Sequence, residues 1–283
     1  MKKAVLLTLG MLLLSSLVFS LSILLFHNTQ GTESRFAELS LYDRLYDLDS
    51  SIQRGFKEIF ERNSGMTLIL LDDTIRISET LPHSSNFEAE LIAYSNYLEG
   101  LYSIDPLVVI DDSVLTLVKD RLLFYIMPHN ILVEHSSFPS GNLEITPQNL
   151  NVENYSISLT VTKQSMTFDD SLMTTSGSFP LRMSVTTNSG TSVWEKDNID
   201  QTSTNTMTLN FDTGLPTEAT ITITLDNPAK LIINRGSVTA DHNIEIALQH
   251  QIDEMTYISY PDNLFTISIP GDDLQKISTA RLA

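Results

Sequence analysis

The chain contains no cysteine among its 283 residues. A disulfide framework, a thiolate metal site, a cysteine nucleophile and a lipoprotein anchor are therefore excluded. Basic residues are also scarce, since 17 Lys and Arg stand against 35 Asp and Glu, which gives a formal net charge of −18. Binding to nucleic acid or to anionic lipid needs a basic face, so the composition argues against both of these functions. It is typical of a solvated acidic surface.

Charge is missing altogether from one long stretch near the start. Residues 5–26, VLLTLGMLLLSSLVFSLSILLF, carry no charged side chain and follow Lys2 and Lys3. As a helix this stretch would rise about 33 Å, which matches a hydrocarbon core of about 30 Å. A helix also satisfies its own backbone hydrogen bonds in lipid. The stretch therefore predicts a transmembrane signal anchor at 1–30, in contact with membrane lipid through residues 5–26; a signal peptide cut near Ser20 is the alternative.

The charges that flank this stretch predict an orientation. Lys2 and Lys3 precede it, whereas Glu33, Glu38 and Asp43 follow it. Because Lys and Arg are retained in the cytoplasm, we expect a single-pass protein of the cell membrane with its N-terminus in the cytoplasm. The rest of the chain would then be extracellular, at the cell surface.

Residues 31–65 have the pattern of a helical stalk. Six apolar residues recur at intervals of three or four, as on one face of a helix; they are Leu41, Leu45, Leu48, Ile52, Phe56 and Ile59. Asn63-Ser64-Gly65 supplies the residues of a helix C-terminus. The 41–59 stripe either packs on its own domain or mediates self-association with another copy of the chain.

Residues 66–138 predict a small α+β unit. Asp72-Asp73 and Asp111-Asp112 each lie between two short apolar runs, which is the pattern of a β-hairpin. The two segments, LILLDDTIRIS and LVVIDDSVLTL, align without gaps, either as an internal duplication or because hairpins converge on such patterns. An amphipathic helix is expected at 86–102 between them, and strands at 121–127 and 131–135 after them.

Residues 139–283 predict an antiparallel β-sandwich, because apolar and polar residues alternate in seven short segments separated by turn residues. The whole fold class is therefore predicted as α+β: a transmembrane helix, a stalk, the small α+β unit and the sandwich. The inward-facing residues of the seven strands are expected to be Ile157–Val161, Leu181–Val185, Met207–Phe211, Ile221–Leu225, Leu231–Ile233, Ile244–Leu248 and Phe265–Ile269.

Several patterns suggest chemistry, and each has a simpler structural interpretation. Asp212-Thr213-Gly214 matches the aspartic-protease triplet, but no second triplet is present and a turn after a strand explains it. The pairs Asp72-Asp73, Asp111-Asp112, Asp169-Asp170 and Asp272-Asp273 offer Ca²⁺ ligands without EF-hand spacing. The six histidines lack zinc-site spacing; they are His27, His83, His129, His135, His242 and His250.

We therefore assign no catalytic, cofactor-binding or metal-ligating residue, and we do not expect an enzyme. Trp194, the only tryptophan, lies in a stretch that resembles a loop and is interpreted as a core or rim anchor, with a contact residue as the alternative. Asn154-Tyr155-Ser156 matches the N-glycosylation sequon.

The first 60 residues resemble type IV pilin-like proteins and, more broadly, single-span surface proteins of prokaryotes. The resemblance rests on Lys2-Lys3-Ala4 before a hydrophobic segment that continues as a helix towards a β-rich region. It implies cleavage after Ala4 and packing of the hydrophobic helices in the core of a filament or pseudopilus. Leu9 departs from the pattern, because bacterial members often carry Glu at this position.

The sequence thus favours a membrane-anchored, extracytoplasmic structural or interaction protein that presents a β-rich head to a protein or glycan partner. A pilin-like filament subunit is the first alternative, and a membrane-tethered hydrolase is the second.

Overall fold

The computed structural model describes residues 2–71, 73–81, 86–104, 106–127, 130–138, 141–148, 152–227, 229–250, 257–260, 264–269 and 274–278. Within these ranges, the side chains of 2–17, 24–38, 257 and 274 are not described. The chain forms two compact units, Met1–Ser50 and Ser51–Ala283. We call the second the β-rich unit.

The helices are α1 (Lys2–Asn63), α2 (Phe87–Leu101) and α3 (Asp112–Arg121). The strands are β1 (Met66–Leu70), β2 (Thr74–Leu81), β3 (Leu107–Ile110), β4 (Phe124–Met127), β5 (Ile131–His135), β6 (Leu143–Pro147), β7 (Val152–Val161), β8 (Met166–Leu172), β9 (Phe179–Thr187), β10 (Gly190–Ile199), β11 (Asn205–Phe211), β12 (Ala219–Asp226), β13 (Lys230–Asn234), β14 (His242–His250), β15 (Tyr257–Ser259), β16 (Phe265–Ile269) and β17 (Leu274–Ser278).

Helix α1 is continuous and ends where the sequence predicts. The backbone N–H of Ser64 donates to the carbonyl of Phe60 at 3.0 Å. Gly65 follows with a φ of +68°, the left-handed conformation that favours glycine after a helix. The predicted stop at Asn63-Ser64-Gly65 is confirmed.

The predicted α+β fold class is wrong, because the structure is mainly β: half of it is strand and about a quarter is helix. The physical reason is strand pairing. Strands from 66–138 join the same sheets as strands from 139–283, since β2 pairs with β14 and β5 pairs with β6. Our division of the chain at residue 138 stays a prediction.

The predicted transmembrane anchor is also corrected. A crossing needs about 20 mainly apolar residues in one helix. Within the part of the chain that the structure describes, no helix contains an apolar run of sufficient length to span a bilayer. This finding overturns the transmembrane helix and signal anchor at 1–30 and the single-pass location in the cell membrane with the N-terminus in the cytoplasm. The backbone length of α1 alone does not establish a crossing.

Two large sheets form a sandwich in the β-rich unit. One has the order β1-β2-β14-β7-β9-β10, and the other has the order β15-β4-β5-β6-β13-β12-β11-β8. Neighbouring strands are antiparallel except β7 and β9, which are parallel. A third sheet has the order β17-β16-β3.

All seven segments predicted from period-two alternation are strands, but Phe265–Ile269 is β16 of the third sheet and not part of the two large sheets, as the predicted sandwich required. In β12 the burial alternates strictly, so Ile221, Ile223 and Leu225 are buried while the threonines between them are half-buried. β11 is its antiparallel neighbour, and Leu209 lies opposite Ile221. This register places the apolar face of each strand towards the core.

Other predictions from the same patterns are wrong. Val114–Val118 lies in helix α3 and is not the second arm of a hairpin, because the carboxylate of Asp111 caps that helix by accepting the N–H groups of Ser113 and Val114. The other Asp-Asp segment is a hairpin, since β1 pairs with β2. The stretch around Trp194, interpreted as a loop, is strand β10.

The last turns of α1 fill the core beside the third sheet. Phe56 is fully buried and stacks on Phe265 with ring centroids 5.9 Å apart. Phe60 meets Phe124 edge-on at 5.3 Å. The hydroxyl of Tyr94 in α2 donates to the carbonyl of Ile52 at 3.3 Å. The second half of the 41–59 stripe therefore packs inside its own chain.

Candidate interaction surfaces

Helix α1 exposes large apolar side chains at positions 18–23. Val18, Phe19, Leu21 and Ile23 are each 48–69% exposed. Successive helix residues are turned by about 100°, so these four side chains point in different directions around the axis. The hydroxyl of Ser22 donates to the carbonyl of Val18 at 2.9 Å, which satisfies this one of the two serines in the run. The segment therefore presents apolar surface over about 200° of the helix circumference.

A second exposed set lies further along α1. Leu39, Tyr42 and Tyr46 are 47–59% exposed and recur at intervals of three and four, so they share one face of the helix. This face differs from the predicted 41–59 stripe, in which Leu45, Ile52 and Phe56 are buried. Aromatic and aliphatic residues exposed in a row are typical of an interaction surface.

The sandwich has two sheet edges that lie beside each other. In the described part of the chain, β10 is paired on one side only, with β9, and β8 on one side only, with β11. Trp194 in β10 donates its indole N–H to the Oδ2 atom of Asp170 in β8 at 3.0 Å. We call the surface formed by β8 and β10 the open edge.

A cation completes this contact between the edges. The Nζ atom of Lys196 lies 3.1 Å from the same Oδ2 atom and 5.9 Å from the centroid of the Trp194 ring. The hydrogen bond from Trp194 and the ammonium of Lys196 lower the pKa of Asp170. Trp194 is half-buried, as expected for a rim anchor, but it lies in strand β10 and not in a loop.

A cluster of buried charges joins the two large sheets. Glu79 of β2 accepts a hydrogen bond from the guanidinium of Arg235 at 2.7 Å, and its Oε1 atom lies 3.1 Å from Nε2 of His135. Nδ1 of His135 lies 3.1 Å from the same guanidinium nitrogen. The ring of Phe138 meets the His135 ring edge-on at 5.4 Å. Since His135 and Glu79 are almost fully buried, this cluster holds the sheets together and does not face solvent.

Sequence reasoning did not predict this cluster. Glu79 lies on the inward face of β2 between apolar neighbours, where alternation predicts an apolar residue. His135 was singled out only as one of six histidines. The signal that could have found the cluster is the single charged residue at an inward position of an otherwise apolar strand face.

The Asp212-Thr213-Gly214 triplet is a turn, as predicted. Asp212 has a φ of +49°, and its carboxylate accepts the backbone N–H groups of Gln164 and Ser165 at 2.9 and 3.0 Å. Thr217 donates its hydroxyl to the other carboxylate oxygen. The backbone hydrogen bond from Ser165 is the main cause that lowers the pKa of Asp212. This carboxylate therefore anchors the loop between β11 and β12 to the start of β8.

The other residues that the sequence analysis singled out do not come together in a site within the described part of the chain. Among the described residues, no three His, Asp or Glu side chains lie close enough to hold a metal ion. Asp111 caps α3, and Asp170 accepts the hydrogen bond from Trp194 at the open edge. The half-buried side chain of Asn154, in β7, donates to Gln249 at 2.7 Å. Several candidates lie outside the described residues or side chains: His27, Asp72, His83, His129, Asp272, Asp273 and the cleavage position after Ala4.

A shallow groove of about 210 Å³ lies between α2 and α3. Its apolar floor includes Ile92 and Leu115, and Glu99 and Lys119 stand at its sides. The carboxylate of Glu99 accepts the N–H of Ile110 at 3.1 Å, and Lys119 pairs with Glu88 and Asp120. These polar groups are occupied in holding α2, α3 and β3 together.

Comparisons with protein-family models, with curated proteins and with solved structures returned no match to this chain.

Proposed function

We propose that the chain is a structural subunit that self-associates through the N-terminal part of α1, so that each copy contributes its β-rich unit to the assembly. The observation that carries this proposal is the exposure of Val18, Phe19, Leu21 and Ile23 in several directions around one helix. A helix with an exposed apolar surface this wide is stable when that surface is covered. Copies of the same helix are the occupant that the resemblance to pilin-like proteins implies.

The charge of the chain also favours assembly through α1 over assembly through the β-rich unit. The chain carries a net charge of −18, and like charges repel when acidic units approach each other. The uncharged run of α1 offers apolar contact without that repulsion. Assembly through α1 therefore keeps the acidic β-rich units as separate solvated bodies.

Cysteine cross-linking tests the proposal cleanly, because the native chain has no cysteine. Single variants Val18→Cys, Phe19→Cys, Leu21→Cys and Ile23→Cys are oxidised in the purified full-length chain and separated on a non-reducing gel. We expect covalent dimers from all four positions, because helices surround each other in a bundle. Leu215→Cys, on an exposed turn of the β-rich unit, is the matched control. It should give only the low yield of covalent dimer that random collisions produce.

Equal yields at Phe19 and at Leu215 would overturn the proposal. Phe19→Lys supplies an independent measurement, since a charge in the apolar run should shift the sedimenting species towards the monomer. Circular dichroism of this variant should match that of the native chain, because the side chain of Phe19 is exposed and lies in unit Met1–Ser50.

A further inference from the structure

The open edge is built from strands that carry unused backbone hydrogen-bonding groups. β10 is ten residues long and β8 is seven. In the part of the chain that the structure describes, each is paired along one side only. An edge strand of this length is a template to which an extended peptide can add as a further strand.

The first half of β10 lacks the features that normally block such pairing. Natural edges are protected by charges, prolines or bulges. Gly190–Trp194 contains no charge and no proline, and its register with β9 is unbroken from Gly190 to Lys196. The register shifts only after Lys196. This half of the edge is therefore regular and accessible to another strand.

Apolar side chains flank the accessible backbone. Val193 is 54% exposed on the outer face of β10, and Leu172 is 67% exposed at the end of β8. Trp194 lies on the opposite face of β10 from Val193, held against Asp170. A peptide strand beside β10 would thus place alternate side chains near Val193 and near the Trp194 ring.

The charge of the open edge selects the peptide. β8 and β10 together contain four carboxylates, at Asp169, Asp170, Glu195 and Asp197, and one cation, at Lys196. Arg182 of the neighbouring strand β9 lies 4.0 Å from Glu195, so a net excess of negative charge remains when this cation is included. Lys196 is already engaged by Asp170. A second copy of this acidic chain would be repelled, whereas a segment that alternates Lys or Arg with apolar residues is complementary in charge and in side-chain period.

We propose that the open edge is a docking site for an extended basic segment of a partner protein, which adds to β10 as a seventh strand of the sheet. Glu195 and Asp197, which share the outer face of β10 with Val193, attract its cations, while the Trp194 ring contacts its apolar side chains on the opposite face. This site is separate from the helix surface that carries the proposed assembly, and either proposal can fail without the other.

Trp194 makes the site directly observable, because it is the only tryptophan in the chain. The full-length protein is titrated with a capped peptide of four Lys-Val repeats while the tryptophan emission is recorded. We expect a saturable change in emission that weakens as salt is added. Two peptides serve as controls: four Glu-Val repeats reverse the charge, and four Lys-Pro repeats keep the charge but remove every second N–H donor.

Protein variants localise the binding. Val193→Lys adds a cation to the face of β10 that receives the lysines of the peptide, so the affinity for the Lys-Val peptide should fall at least tenfold. Leu215→Lys makes the same change at an exposed turn outside the open edge and should leave the affinity unchanged. Thermal unfolding of both variants should match the native chain, since both side chains are about half-exposed.

Three results would overturn the proposal: no saturable change with the Lys-Val peptide, equal binding of the Lys-Pro peptide, or equal loss of affinity in both variants. Equal binding of Lys-Pro would show that charge alone attracts the peptide without strand addition. A dimer of the native chain that Val193→Lys disrupts would assign the edge to a second copy, and this would also reject a basic partner.

Discussion

His242 shows how burial of a single side chain creates a pH-dependent contribution to stability. It is 6% exposed, and its Nδ1 atom lies 2.7 Å from the carbonyl of Ala240. Desolvation is the main cause that lowers the pKa of this histidine, and the positive charge of Arg235 acts in the same direction. The folded protein therefore holds His242 in its neutral form at a pH where the unfolded chain would protonate it.

The sign of the effect follows from linkage. Below a pH of about 6.5 the unfolded chain binds more protons at His242 than the folded chain does, so stability falls as the pH decreases from 6.5 towards the lower folded pKa. We predict that His242→Gln reduces this slope of melting temperature against pH. Asn243→Gln, at the adjacent exposed position, should retain the native slope. An unchanged slope in His242→Gln would contradict the prediction.

Phe56 is a residue at which truncation should be strongly destabilising. It is fully buried and contacts the rings of Tyr94, Tyr260 and Phe265. We expect Phe56→Ala to reduce the free energy of unfolding by about 3–5 kcal/mol, because a large apolar side chain leaves a cavity. Tyr97→Ala, at an aromatic residue that is 59% exposed on α2, should change it by less than about 0.5 kcal/mol. Urea denaturation followed by circular dichroism measures both.

At the scale of single elements, the stability of helix α3 depends on its N-terminal cap, Asp111. The Oδ1 atom of Asp111 accepts two backbone N–H groups and the hydroxyl of Ser113, and these hydrogen bonds lower the pKa of the carboxyl. Asp111→Ala should lower the melting temperature at neutral pH, whereas Asp111→Asn should lower it less, because an amide oxygen also caps a helix. The stabilisation should disappear as the pH falls through the lowered pKa of Asp111. Equal losses in the two variants would argue against a capping role.

The elements also show what the sequence alone could and could not predict. Central strands such as β12 were predictable, because burial on one face imposes strict alternation. Strands β8 and β10 were missed, since edge strands face solvent on more sides and carry hydroxyl and charged residues such as Asp169, Ser192 and Glu195. Helix α3 was mistaken for a strand, because Val114, Leu115, Leu117 and Val118 fit a short apolar run of either kind.

The candidate surfaces were less predictable than the strands. The sequence singled out Trp194, but its partner Asp170 lies in a different sheet, and only the fold brings the two together. The exposed run of α1 was found from composition, yet the same apolar residues were interpreted as a membrane crossing. The Glu79–His135–Arg235 cluster depends on the pairing of β2 with β14 and on the facing sheet, which a local pattern does not specify.

At the scale of the whole molecule, the buried cluster should couple the two large sheets. Glu79→Gln replaces the carboxylate that accepts the Arg235 guanidinium and leaves a buried cation beside an amide. We expect this change to reduce the free energy of unfolding by about 3–5 kcal/mol, as when one partner of a buried ion pair is removed.

A matched change on the same strand separates this effect from surface charge. Arg76 and Glu245 form an exposed pair at 3.9 Å between β2 and β14, so Arg76→Gln should change the free energy of unfolding by no more than about 1 kcal/mol. Guanidinium denaturation of the two variants measures the difference. Similar losses from Glu79→Gln and Arg76→Gln would show that the cluster contributes no more than an ordinary surface pair.

The pairing of β2 with β14 also governs how the protein can be made. The hydroxyl of Ser78 meets the side chain of Asn243, 165 residues later in the chain. At about 5–20 residues per second, the ribosome needs on the order of ten seconds or more to deliver that partner strand. Until then the nascent chain carries β2 without its central neighbour, and Tyr260 and Phe265, which cover the ring of Phe56, follow later still. Chaperone capture during translation is therefore expected to determine the yield of this protein.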